Sequence, residues 1–335
     1  MSQKRTRREG FGKDAQVVLP KNFTNSRSRG PVLPKFPRGL AGSASIVAAT
    51  KTVAGLPSKS RASFANGRCV RGTYTPSDQA KEVTKSCSFT KPSRLLARFS
   101  VAEGPDTNYL LLRGFSFRLG SDGERSDILT QSAPVHFART PDQMLAFLRA
   151  RIPGPDGKPD LEMVETFSVA NPETLHQASY IAAHPPAASF ASTTYWGVHA
   201  FPATNSRGET RFIKFKVTPV GEQAARRRAA ANAKPTELLH DLESRIAARD
   251  MRFSVMALLD RPGDPVMDVT VRWPDEDGRE AVRLGTIVIT RVEENDACDE
   301  PMFNPATLAE GIGHPLDEMF AVRRAAYAIS QATRR

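Results

Sequence analysis

Arg323 and Tyr327 stand four residues apart in the closing stretch FNPATLAEGIGHPLDEMFAVRRAAY, whose alanine- and arginine-rich end reads as a helix. At that spacing two side chains share a helix face, so the guanidinium can lie beside the phenol and favour its ionised form. A free phenol, with a pKa of about 10, ligates poorly at neutral pH. A phenolate, by contrast, is a hard, strong oxygen donor of the kind that stabilises ferric iron. An arginine and a tyrosine so placed more often make only a surface contact, so the pair needs support from elsewhere. His176, His184 and His199 follow no zinc-ligand spacing and are assigned to structure or surface. Cys69, Cys87 and Cys298 are odd in number and lack any CxxC spacing. They indicate neither a disulfide framework nor a zinc site, and a reducing cytoplasm is the expected location.

The elements that must position these residues can be read in outline. Strands are expected at Arg94 to Val101 and at Tyr109 to Leu119, where Phe115, Phe117 and Leu119 alternate with Gly114, Ser116 and Arg118. Thr140 with Pro141 caps a helix carrying Met144, Leu145, Leu148 and Ile152 at helical spacing, and Asn171 with Pro172 repeats the start signal. Thr194 to Phe201 and Thr210 to Val217 form an antiparallel hairpin around Asn205, Ser206, Arg207 and Gly208. A connector helix from Pro235 to Ala248 follows the Ala- and Arg-rich residues 221 to 234 and presents Leu238, Leu242 and Ile246 on one face. Strands at Arg252 to Leu259 and Arg283 to Arg291 come next, and Asn304 with Pro305 opens the C-terminal section. Many spaced strands with helices inserted late argue for an antiparallel barrel or sandwich with outer helices.

At 335 residues the chain can bury a substantial core, and 25% charged residues is ordinary for a globular protein. No run of about eighteen apolar residues reads as membrane-spanning. Lys and Arg exceed Asp and Glu by 47 to 36, and in the first sixty residues the only acids are Glu9 and Asp14. Residues 1 to about 56 therefore read as a basic, Pro-, Gly- and Ser-rich arm with little periodicity, wrapping over the surface or partly disordered. The run Lys4, Arg5, Arg7, Arg8 has no interleaved aromatic, which counts against nucleic acid as its partner. The arginine pair is followed by Glu9, Lys13 and Asp14 where an export signal needs an apolar segment, so a signal peptide is rejected.

From about residue 56 onward the chain resembles the haem catalases and, most of all, the small catalase-related peroxidases. The carriers in the last segment are Phe303, Asn304, Pro305, Gly311, Ile312, Asp317 and Met319, then Arg323 and Tyr327, which keep that family's spacing through its RxxxY motif. The resemblance makes Tyr327 the proximal ligand of a haem b iron. RASFANGRCVRGTY resembles the segment that holds the family's distal histidine, with Arg61, Ala65, Gly67, Cys69 and Gly72 in step and Tyr74 at an aromatic position. Phe64 then occupies the histidine's place. ARFS and RGFSF resemble further family segments and bring Arg98 and Ser100 to the haem. With Arg334, seven residues beyond Tyr327, Arg61 and Arg98 become candidates to bind the propionates, two carboxylates that need paired cations if buried. DILTQSAPVHFARTP aligns Ser132 with the distal asparagine, leaves Gln131 next to it, sets Phe137 against the haem, and puts His136 where it could replace the missing base.

The resemblance implies an α+β fold, an antiparallel eight-stranded β-barrel with peripheral helices, in a haem domain spanning residues 57 to 335. It implies a haem-dependent oxidoreductase acting on a peroxide or organic hydroperoxide. With Phe64 and Ser132 in place of the acid and base, rapid dismutation of hydrogen peroxide is not expected. Two further readings stay open: a repurposed haem enzyme transforming an organic substrate in a dry pocket, and a non-catalytic haem-binding protein. The family's entwined N-terminal arms imply a dimer or larger homo-oligomer, and no membrane partner is expected.

Overall fold

Phe115, Phe117 and Leu119, on alternate positions of one strand, are wholly buried, and this alternation is repeated around a closed sheet. The computed structural model describes residues 41–102, 112–121, 123–185, 187–221, 234–299 and 302–334. The basic run, residues 1–40 of the arm, Tyr109 to Leu111 and most of the Ala- and Arg-rich stretch lie outside the described residues.

The strands are β1 (Asn66–Pro76), β2 (Ser93–Val101), β3 (Arg113–Leu119), β4 (Ser126–Gln131), β5 (Tyr195–Trp196), β6 (Phe201–Thr204), β7 (Thr210–Pro219), β8 (Met251–Leu259) and β9 (Ala281–Glu293). Hydrogen bonding runs β5-β4-β3-β2-β1-β9-β8-β7, and β5 returns to β7, so eight strands close a ring while β6 hangs on β7 as a hairpin partner. Every pairing between named strands is antiparallel. Closure leaves no free edge in the ring. Its interior is aromatic: Phe99 stacks on Phe115 at 4.4 Å between ring centres, with Phe253 and Tyr195 against them. The architecture is the expected eight-stranded barrel of an α+β protein.

The helices are α1 (Ser43–Val53), α2 (Ala80–Val83), α3 (Cys87–Thr90), α4 (Pro141–Arg149), α5 (Leu161–Ala170), α6 (His176–Ala183), α7 (Pro235–Ala248), α8 (Asp296–Asp299) and α9 (Glu318–Ala332). Thr140 caps α4 by accepting the Gln143 N–H at 3.2 Å. Asp317 caps α9 by accepting the Phe320 N–H at 2.9 Å. Leu238, Leu242 and Ile246 of α7 are buried in the main core, so that helix is part of the packing and not merely a connector. Ile46, Ala49 and Val53 of α1 pack with Leu145, Phe147 and Leu148 of α4 and with Val322 of α9.

Three features depart from the sequence reading. The irregular segment expected up to about residue 56 contains α1, whose mixed composition hides a stripe formed only against α4 and α9. The strand expected at Thr194 to Phe201 is two short pieces, β5 closing the barrel and β6 forming the hairpin. Cys69 on β1 and Cys298 on α8 form a disulfide although 229 residues separate them. Sequence spacing carries no information about such a pairing, and the cysteine argument for a reducing compartment loses its premise.

Candidate active site

A cavity of about 250 Å³ opens between the barrel and the α1, α4 and α9 layer. Nine of the ten residues singled out from the sequence border it: Arg61, Phe64, Arg98, Ser100, His136, Phe137, Arg323, Tyr327 and Arg334. Ser132 does not. Its hydroxyl accepts the Arg113 N–H at 2.9 Å, and its own N–H donates to the Arg113 carbonyl, which pins it to the neighbouring chain. Because residues alternate faces on passing out of β4, it is Gln131 that reaches the cavity.

The helix α9 delivers the tyrosine wall. Arg323 donates from Nη2 to Tyr327 Oη at 3.0 Å, the one-turn contact that the spacing predicts. Its Nη1 donates to His199 Nε2 at 2.8 Å, and His199 Nδ1 lies 2.8 Å from Asp317 Oδ2. An imidazole that accepts at Nε2 must carry its proton at Nδ1, where it donates to Asp317. Burial keeps His199 below its ordinary pKa, although Asp317 pulls the other way. Burial alone would raise Asp317, yet its bond from His199, the Phe320 N–H and the Arg323 charge hold it below the usual carboxylate range. The result is a chain Asp317–His199–Arg323–Tyr327 with a neutral histidine in the middle. Sequence reasoning assigned His199 to structure or surface.

His136 borders the cavity beside Phe137, with ring centres 4.3 Å apart. Its Nδ1 is engaged by Ala138, and burial pushes its pKa down to about 3. Beyond burial, Arg323 and Asp317, the charged groups behind Tyr327, act on it in opposite directions.

A basic rim lies at the end of α9. Arg61 forms an ion pair with Asp299 and donates to the Cys298 carbonyl at 3.1 Å, while Arg334 Nη1 lies 3.4 Å from the same Asp299. Two guanidiniums share one carboxylate, so this cluster keeps a positive charge. Burial and then the nearby Arg61 lower the Arg334 pKa. The Cys69–Cys298 bridge ties α8, and with it Asp299, to β1. Ala62 N–H donates to Ser330 Oγ on α9 at 3.3 Å, joining the segment before Phe64 to the helix that bears Tyr327.

Phe64 forms the other distinctive wall. Its φ of 54° is in the left-handed region, and Arg98 holds that conformation by donating to the Phe64 and Ala65 carbonyls at 2.8 and 2.7 Å. The ring lies over Gly114. A Cβ there would come within 3.0 Å of the ring and 2.7 Å of Ser100 Oγ, so only glycine leaves room. Around the ring pack Ala102, Leu112, Ala133, Ile181 and Tyr180. Gln131, opposite Gly114 in the sheet, and the buried Gln177 of α6 complete this side.

Residues 58–335 match the family model described as Catalase. The chain is 30% identical over 285 residues to a catalase-related peroxidase of Synechococcus elongatus, covering 82% of this chain and 83% of that relative. It is 26% identical to a catalase-related peroxidase of Mycolicibacterium paratuberculosis over 81% of this chain and 87% of the relative. Among solved structures, a fungal catalase superposes with a TM-score of 0.71 at 21% identity, over 82% of this chain and 59% of that one. Catalase A from Saccharomyces cerevisiae gives 0.71 at 20%, over 82% and 61%. The chain thus spans about six tenths of the length of these two solved catalases, whose likeness concerns the fold.

Proposed function

This chain belongs to the catalase family, and from that premise we propose that it is a haem-dependent oxidoreductase reducing an organic hydroperoxide, with little or no dismutation of hydrogen peroxide. The observation that carries the reading is the Asp317–His199–Arg323–Tyr327 chain, which ends on a phenol oxygen in an otherwise largely apolar cavity. A guanidinium bond to that oxygen suits a phenolate, the form in which a tyrosine would ligate ferric iron.

The residues present fit haem b. Tyr327 would ligate the iron, Arg61 and Arg334 have a surplus positive charge for carboxylates, and Ile46, Phe137, Met144 and Leu148 offer an apolar wall to a flat macrocycle. Bound there, haem would supply the redox chemistry of a peroxide reaction. The chain's own contribution is to orient and to exclude water. Phe64 can neither take a proton from a peroxide nor return it, which removes a contribution of roughly two to four orders of magnitude to the rate. The same ring dries the wall and favours a substrate with a hydrocarbon body.

The test is the visible spectrum of the purified protein and of Tyr327→Phe. A ferric haem spectrum with a tyrosinate charge-transfer band, lost in the variant, is expected; an unchanged spectrum would exclude the ligand. Stopped-flow mixing should then give a faster spectral change with an alkyl hydroperoxide than with hydrogen peroxide.

A further inference from the structure

Gln131 on β4 and Gln177 on α6 come from different layers but are tied to one atom. The Val135 carbonyl accepts from Gln131 Nε2 at 2.9 Å and from Gln177 Nε2 at 2.7 Å, and Gln131 Nε2 also lies 3.3 Å from the Ala133 carbonyl. A carbonyl can only accept, so both amides must turn their NH₂ groups toward the backbone. Each then has its oxygen left over. Neither oxygen receives a donor among the described residues, and both side chains border the cavity.

Their surroundings are apolar. Gln131 is the sheet partner of Gly114, over which the Phe64 ring lies, and Ile181, one turn beyond Gln177, packs on that ring. Two amide oxygens without a donor in such surroundings are open to a ligand that donates a hydrogen bond, and as acceptors they repel an anion.

We infer that Gln131 and Gln177 are the specificity-determining pair of this cavity, an acceptor clamp for an uncharged ligand that carries an O–H donor on an apolar body. The inference rests on the hydroperoxide reading and sharpens it: the substrate is held as the neutral organic hydroperoxide, its terminal O–H donated to an amide oxygen and its carbon body against Phe64. The clamp transfers no proton, since a carboxamide at neutral pH neither gains nor loses one. It is a positioning device.

Calorimetric titration of the haem-loaded protein with two unreactive probes, 1-phenylethanol and its methyl ether, tests this. They differ in the donor and little else. The wild type should bind the alcohol at least about tenfold more tightly, because a site built around a hydrogen bond discriminates against the analogue that lacks it. In Gln131→Met/Gln177→Met that preference should vanish while ether binding persists. Either single variant should reduce it if the double variant does not fold. Equal affinities in the wild type, or a preference unchanged by removing both amides, would overturn the clamp. Failure of the haem reading is registered separately, in the visible spectrum of the unmutated protein.

Discussion

His199 and Arg323, 124 residues apart in sequence, meet at 2.8 Å with the imidazole accepting and the guanidinium donating. The direction of that bond makes the histidine a spacer between a buried carboxylate and the arginine on Tyr327. His199→Leu should leave Asp317 without a side-chain donor and cost on the order of 1–3 kcal/mol in a urea denaturation. His199→Gln, which can still bond, should keep the fold but shift the tyrosinate charge-transfer band. No spectral movement in His199→Gln would show that the chain ends at Arg323.

Phe64→His would place an imidazole on the Phe64 wall, where the sequence resemblance expects the distal base. The left-handed φ is tolerated better by histidine than by phenylalanine. Hydrogen peroxide turnover should rise by about a hundredfold, the lower end of what a general acid–base contributes. A rate that stays flat, with the haem spectrum intact, means the missing base is not the main limit.

Acid should weaken the fold before it unfolds ordinary surface pairs. His199 and His136 are both held below their ordinary value of about 6.5 by burial, His136 down to about 3. Between those limits the unfolded chain binds protons that the folded chain refuses, so stability rises with pH from about 3 to about 6.5 and then levels off. Asp317, held low in the fold, adds stability that is present above its unfolded value of about 3.9 and lost below it. Thermal unfolding at a series of pH values should show the slope, and His136→Phe should flatten it. An unflattened slope would acquit that histidine.

Replacing Cys69 and Cys298 together by alanine should lower stability by roughly 2–4 kcal/mol, the usual worth of a long-loop disulfide. Because Cys298 adjoins Asp299, the substitution should also loosen the pair Arg61 and Arg334 and reduce haem retention. Denaturation with and without reductant measures the first effect, and the rate of haem loss measures the second.

Much of this was written locally. Alternation in Phe115, Phe117 and Leu119 marked a half-buried strand, Thr140 and Pro141 marked the start of a helix, and Pro235–Ala248 showed its buried face without help. Arg323 and Tyr327 met as their spacing required, because four residues on a helix is a geometric statement. Tertiary structure alone decided the rest. Nothing in sequence spacing could link His199 to Arg323, join Cys69 to Cys298, or turn two glutamines toward Val135, since each contact is made by barrel closure or by a loop folding back. Ser132 and Gln131 show the limit most directly: adjacent residues leaving a strand face opposite ways, and only the closed sheet says which way is in. The Arg323–Tyr327 contact is local and could be read from the sequence, whereas its link to His199 and the Phe64 wall, assembled from β3, β4 and α6, had to be seen folded.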